Sequence, residues 1–195
     1  MGIFKSLKNS YIHKDNKTFI KYLRHKGIKI GHNCIFRSPE TTIIDKTRPE
    51  LIEIGNYVDM NRYFTIMTHD YTSSVFIRKY NDFINSSGKV TIGNNIYFGI
   101  HCTVLKGVTI GDNCIIGACS LVNKNIPANS VAAGVPAKVI CTLDEYYAKR
   151  KEKQSYIFIQ LIFADHLYHL RPQRLKLQLQ KHAKIRFFQY RLRGL

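Results

Sequence analysis

From residue 92 onward an apolar residue recurs at every sixth position without a break: Ile92, Phe98, Val104, Ile110, Ile116 and Val122. Four residues after each comes a second small or aliphatic residue: Ile96, Cys102, Val108, Cys114, Ser120 and Ile126. The same beat runs earlier through Ile54, Met60 and Ile66, with Val58 and Phe64 in second position, and more weakly through Ile30, Cys34 and Phe36. A period of six matches neither the 3.6 of a helix nor the 2 of a free strand. It fits a coil of three flat sides, one hexapeptide per side and about 18 residues per turn. The apolar residues then point inward, and successive coils stack about 4.8 Å apart through parallel β hydrogen bonds. Gly follows the first apolar residue in Ile30-Gly31, Ile54-Gly55, Ile92-Gly93, Phe98-Gly99, Ile110-Gly111 and Ile116-Gly117, where the chain is expected to bend at a corner. Asn33, Asn95 and Asn113, two residues beyond a Gly, suit left-handed backbone. The pattern predicts a mainly-β protein, a parallel β-helix with coils at 92–109, 110–127 and 54–71 and a partial coil from about 30 to 47.

The beat stops between 72 and 89, where Ser73-Ser74, Arg78-Lys79, Asp82 and Ser86-Ser87-Gly88 read as a loop thrown out from the coil. Long excursions from a rigid scaffold tend to carry function. The chain thus divides into a basic N-terminal segment (1–29), the β-helix with its excursion at 72–89 (30–141), and a basic C-terminal extension (142–195). Thr142-Leu143-Asp144-Glu145 reads as a capping box opening a helix over the end of the coil stack. The apolar stretch 156–163 is too short to cross a bilayer.

Composition adds two constraints. The five cysteines include no CxxC pair and no Cys/His cluster at zinc spacing, so neither a metal nor a disulfide framework is expected. The repeat places Cys34, Cys102 and Cys114 in the interior, where a thiol is inert. The net charge of +17 is unevenly shared: +7 in residues 1–29, +2 in 30–141 and +8 in 142–195. A near-neutral core flanked by basic segments suits contact with something anionic.

Three motifs narrow the chemistry: Ile110-Gly111-Asp112-Asn113-Cys114-Ile115-Ile116-Gly117-Ala118, then Ile126-Pro127, then Ala132-Ala133-Gly134-Val135-Pro136-Ala137-Lys138-Val139-Ile140. With Pro49-Glu50-Leu51-Ile52-Glu53-Ile54-Gly55 and Thr68-His69-Asp70, they make residues 30–141 resemble the hexapeptide-repeat acyltransferases, in the galactoside, maltose and cell-surface polysaccharide O-acetyltransferase branch. The resemblance implies a left-handed coil, a homotrimer, acetyl-CoA as co-substrate and a carbohydrate acceptor. His69 matches the family's general base. The residues point there independently, because His69 ends an in-phase coil, opens the excursion and sits among small polar neighbours. An imidazole changes charge close to neutral pH and suits the removal of a proton from an attacking hydroxyl. Asp70, its neighbour, and Asp82, on the excursion, are the two carboxylates considered for orienting it or meeting substrate. The resemblance assigns acetyl-CoA to Tyr97 (where a Trp is common), Gly99, Ile100, Ala118, Asn123, Lys124 and Lys138 (where Arg is usual). It also implies oxyanion stabilisation by a backbone N–H near Gly99-Ile100 of a neighbouring subunit.

The function expected is O-acetylation of a sugar hydroxyl in capsule, lipopolysaccharide or exopolysaccharide synthesis, by direct transfer. The alternative is N-acetylation of a nucleotide-linked amino sugar or of an antibiotic. A cytoplasmic enzyme is expected, with the basic termini suited to the anionic inner face of the plasma membrane. No nucleic-acid recognition motif accompanies the charge, which argues against that partner.

Overall fold

The structure, a computed structural model, describes residues 12–13 and 15–154. The chain divides into two compact units, Met1–Tyr147 and Ala148–Leu195. In the first, a helix α1 (Asn16–His25) leads into fourteen short strands among the described residues. The first coil is β1 (Lys29–Ile30), β2 (Ile35–Phe36) and β3 (Ile43–Ile44). The second is β4 (Ile52–Ile54), β5 (Val58–Met60) and β6 (Thr65–Ile66), after which helix α2 (Ser73–Tyr80) stands in the excursion. The third is β7 (Val90–Ile92), β8 (Ile96–Phe98) and β9 (Thr103–Val104), and the fourth β10 (Thr109–Ile110), β11 (Cys114–Ile116) and β12 (Leu121–Val122). A hairpin of β13 (Ser130–Gly134) and β14 (Ala137–Thr142) ends the stack.

The strands form three sheets, ordered β1-β4-β7-β10, β2-β5-β8-β11-β13-β14 and β3-β6-β9-β12, parallel throughout except for β13 and β14. This is the parallel β-helix the six-residue beat predicts, with the left-handed coil the resemblance implies. Ile92 pairs with Ile110, one regular turn on. Ile66 pairs with Val104, much further along the chain, because the excursion is inserted between these two turns. The in-phase residues fill the prism, with Phe64, Phe98, Val104, Ile116 and Val122 fully buried. Each such side chain contributes about 1.5–3 kcal/mol by leaving water. Cys34, Cys102 and Cys114 are also interior, and burial pushes all three thiols up from their ordinary pKa.

The corner glycines answer to stacking rather than to bending. At two corners the left-handed positions are non-glycine residues, Asn33, Tyr57, Asn95, Asn113 and Asn129 at one and Tyr63, His101 and Cys119 at the next, while Gly107 is left-handed at the third. A Cβ on Gly55 would lie 2.5 Å from the Gly93 carbonyl oxygen, and one on Gly99 2.5 Å from the Ala118 nitrogen. Only a residue without Cβ lets the coils stack at these points.

The exposed edge of the first coil is covered by α1. The Asn16 amide donates to the Cys34 carbonyl (3.0 Å) and accepts from the Phe36 N–H (2.7 Å). Arg24 donates to the carbonyls of Ile30 (3.0 Å) and Gly31 (2.6 Å). Phe19 and Leu23 are buried, and Phe19 meets Phe36 edge-on. Side chains thus satisfy an edge that would otherwise recruit another strand.

The expected loop at 72–89 contains α2, a short helix without a buried residue, closed by left-handed Asn81. The capping box forms as read: the Glu145 carboxylate accepts from the Thr142 N–H (2.8 Å), and Thr142 Oγ1 accepts from the Glu145 N–H (3.2 Å). Residues 143–147 are helical at the end of the first unit, and residues 148–154 are helical in the second. The apolar stretch 156–163 and the basic segment 171–195 lie outside the described residues, as do residues 1–11. Among the described residues no helix is long and apolar enough to cross a membrane.

Candidate active site

His69 follows β6 at the corner between the third and first sheets, where the chain leaves the coil. Its neighbours Thr68 and Asp70 pair with the returning chain. The Gly88 N–H donates to the Thr68 carbonyl (2.9 Å) and the Asp70 N–H to the Ser86 carbonyl (3.0 Å), with His69 opposite Ser87. The backbone of His69 is therefore held in a short antiparallel neck.

The ring is held by a residue that sequence reasoning missed. His69 Nδ1 lies 2.5 Å from Asp45 Oδ2, and the two side chains are 11% and 3% exposed. Asp45 follows β3, one coil below, and its carboxylate is saturated with donors. Oδ1 accepts from the Thr47 N–H (3.0 Å) and hydroxyl (2.6 Å), and Oδ2 accepts from the Thr68 hydroxyl as well as the imidazole. Burial raises the Asp45 pKa, but the bonds from Thr47, Thr68 and His69 outweigh it and hold the carboxyl well below its usual range. An ionised carboxylate can only accept, so Nδ1 carries a proton, and in the neutral form of the ring the lone pair lies on Nε2. A buried carboxylate fixing one ring nitrogen while the other serves as base is the logic of an oriented general base.

The orienting carboxylate is thus neither Asp70 nor Asp82. Asp70 accepts from Lys106 Nζ at 2.5 Å and from the Thr72 hydroxyl at 2.6 Å. Asp82 is exposed beyond α2. Tyr71, 77% exposed, stands edge-on to the His69 ring at 5.1 Å.

The residues assigned to acetyl-CoA fall on different corners. Asn123 and Lys124 follow β12 at the same corner as His69, and both are exposed. The register Ile66–Val104–Val122 puts Lys124 two coils from Thr68, roughly 10 Å along the stack. Gly99 and Ala118 stack on one another at the corner between the second and third sheets, with Ile100 next to them in the chain. Tyr97 points outward from β8 nearby, its hydroxyl accepting from Asn61 (3.0 Å). Lys138 is exposed on β14, opposite Ala133. The two corners are separated by one side of the prism, the stretch from His101 to Lys106, or roughly 16 Å. The Ile100 and Ala118 N–H groups donate to no acceptor among the described residues.

Comparison with known proteins agrees with this architecture. Residues 89–124 match the family model for the bacterial transferase hexapeptide (six repeats). Protein CapG of Staphylococcus aureus is 37% identical over 134 residues, 69% of this chain and 77% of that protein. Galactoside O-acetyltransferase of Escherichia coli K12 is 37% identical over 133 residues, 66% of this chain and 63% of that protein. The crystal structure of a hexapeptide-repeat-containing acetyltransferase from Vibrio cholerae superposes with a TM-score of 0.53 at 18% identity, covering 69% of this chain and 86% of that one, a likeness of fold. With the repeat, the coil it builds and a relative covered over three quarters of its length all in agreement, the chain belongs to the bacterial hexapeptide-repeat transferase family.

Proposed function

We propose that this transferase is an acetyl-CoA-dependent O-acetyltransferase acting on a sugar hydroxyl of a cell-surface polysaccharide or its precursor, with His69 as general base. The observation that carries the reading is the Asp45–His69 pair, which leaves Nε2 as an acceptor at the mouth of the excursion. Acetyl-CoA supplies the acetyl group as a thioester. His69 Nε2 takes the proton as the acceptor oxygen attacks, Asp45 stabilises the imidazolium, and the same Nε2 returns the proton to the departing thiolate. A base so placed contributes about 10²–10⁴-fold. The open Ile100 N–H, beside Gly99, suits the developing oxyanion, worth about 3–4 kcal/mol.

In one chain that corner lies a full prism side from His69. A complete site therefore requires the Gly99–Ala118 corner of a second copy against the His69 corner of the first, with Lys124 and Lys138 exposed to meet phosphate. This supports a homotrimer. A sugar acceptor is supported by the galactoside specificity in the name of one relative and by Tyr71 beside His69.

The test is transfer of labelled acetyl from acetyl-CoA to a panel of surface glycans and amino-sugar nucleotides, followed by mild alkali. Alkali-labile label that disappears with His69→Ala is the expected result. Alkali-stable label would mean an amide and an amino acceptor, and full activity of His69→Ala would end the proposed mechanism.

A further inference from the structure

Asp45 holds the ring of His69 from the coil below; a second group of charged side chains grips its backbone from the coil above. Lys106 Nζ donates to Asp70 Oδ2 at 2.5 Å and also to the Ser86 hydroxyl. Those two acceptors stand on opposite strands of the neck through which the excursion leaves and returns. One lysine therefore ties both strands together.

The register explains how it reaches them. Ile44, Ile66, Val104 and Val122 pair in succession, so the residues two further on, Lys46, Thr68, Lys106 and Lys124, share one corner of the stack. Thr68 turns inward to Asp45, and Lys106 lies one coil above it, over the neck. The ammonium of Lys46 lies 5.8 Å from the Tyr22 ring centroid, and Lys124 is exposed. Lys106 is the lysine of this column that meets a carboxylate.

The neck needs such a tie. Two backbone bonds close it, Asp70 to Ser86 and Gly88 to Thr68, and an isolated two-stranded ribbon is marginal in water. The helix beyond it buries no residue, so the excursion offers little anchorage of its own. The return strand is also pressed on the third coil at this point: a Cβ on Gly88 would lie 2.7 Å from the Gly107 nitrogen. Bonds from Lys106 and Thr72 hold the Asp70 carboxyl well below its usual range, so this acceptor stays ionised through the neutral region.

We propose that Lys106 is a positioning residue: by clasping Asp70 and Ser86 it fixes the backbone of His69, so that Nε2 meets the acceptor at one place. This rests on the reading of His69 as base. Neither Lys106 nor Asp70 touches the reacting atoms in this account; the clasp acts through the neck.

The test compares Lys106→Met, Lys106→Arg and Asp70→Asn in the full chain. Amide exchange at Asp70 and Gly88, thermal unfolding, and kcat and KM for both substrates are measured. The pair is partly exposed, so the unfolding midpoint moves little. In Lys106→Met and Asp70→Asn the two amides exchange about tenfold faster or more. In both variants kcat falls about ten- to a hundredfold, the cost of a slightly misplaced base, while KM for acetyl-CoA is unchanged. Lys106→Arg recovers most of both effects, and the Lys106→Met/Asp70→Asn double variant is no worse than either single one. Salt raised from about 0.05 M to about 0.5 M lowers kcat more in the wild type than in Lys106→Met, because screening weakens the clasp. Unchanged exchange in Lys106→Met overturns the clasp. Faster exchange with unchanged kcat overturns its positioning role. A wild type that transfers no acetyl group overturns the reading of His69 and with it the positioning role, and the exchange comparison then decides whether the clasp closes the neck.

Discussion

Replacing Asp45 by asparagine tests the site most sharply, because shape is kept and only the hydrogen-bonding sense changes. The Thr47 N–H, 3.0 Å from Oδ1, can only donate, so the amide oxygen must take that place. The NH₂ group then replaces Oδ2, where the wild-type carboxylate accepts from His69 Nδ1 at 2.5 Å. The Thr68 hydroxyl can rotate to accept, but the imidazole can accept at Nδ1 only by moving its proton to Nε2. The lone pair that should receive the acceptor's proton is thereby lost. The expected fall in kcat is the value of the base itself, about 10²–10⁴-fold, or about 2.7–5.4 kcal/mol of barrier. Steady-state acetyl transfer with separate kcat and KM is the assay, with ¹⁵N NMR of the ring reporting the tautomer. The Asp45→Asn/His69→Ala double variant should be no slower than His69→Ala, since the two residues act as a unit. If Asp45→Asn keeps kcat within about threefold of wild type, or its tautomer is unchanged, the oriented-base argument fails.

Three further outcomes are expected. Asp45, with its folded pKa depressed below the unfolded value of about 3.9, contributes stability that is fully present above that value and is lost progressively as pH falls from there through the depressed folded pKa. The stability gap between wild type and Asp45→Asn in urea unfolding should therefore be full at pH 6 to 7 and shrink below about pH 4; a gap independent of pH would contradict the ionised pair. Gly99→Ala puts a Cβ 2.5 Å from the Ala118 nitrogen and 2.6 Å from its Cα, so the coils must part. A loss of about 1–3 kcal/mol is expected, and an unchanged denaturant midpoint would show that the stack yields more easily than its geometry implies. Tyr71→Ala removes the exposed ring beside His69 and should raise KM for a sugar acceptor about two- to tenfold, leaving KM for acetyl-CoA alone; equal effects on both substrates would place the acceptor elsewhere.

What could be read from the sequence follows from where the coil is regular. Between the third and fourth coils every pairing takes the same step, Ile92 to Ile110, Ile96 to Cys114 and Val104 to Val122, and the beat gives sides, corners and core directly. The first coil is different. Ile30 pairs with Ile54 and Phe36 with Met60, a step longer than the regular turn by one whole hexapeptide. Ile44 pairs with Ile66, a step that is no whole number of hexapeptides. Two short 3₁₀ turns, Pro39–Thr41 and Pro49–Leu51, insert extra chain on either side of β3 and take it out of phase with the rest. Asp45 sits between them. Its place beneath His69 depends on insertions that no fixed period reveals, so the nearer Asp70 and the excursion's Asp82 looked the better partners. The local signal that remained was Asp45 with Thr47, a pair suited to an Asx turn.

The same irregularity places the chemistry. A perfect hexapeptide coil buries its apolar residues and pairs its backbone, and it presents the same corner at every turn. A buried carboxylate and an oriented histidine can arise only where that repetition is broken. In this chain it is broken twice at one corner, by the turn Pro49–Leu51 after Asp45 and by the excursion after His69, in adjacent coils whose register brings the two side chains together. The regular coils on the far side supply the rigid support: Lys106 and Gly107 come from the first uninterrupted turn, and the neck closes against them. Moving His69 by one residue in either direction would turn its ring away from Asp45, because alternate residues face opposite ways along a strand. A one-residue insertion between Ile66 and His69 should therefore abolish transfer while the coil, held by its core, still folds. A shifted variant that kept its activity would show that the base does not depend on this register.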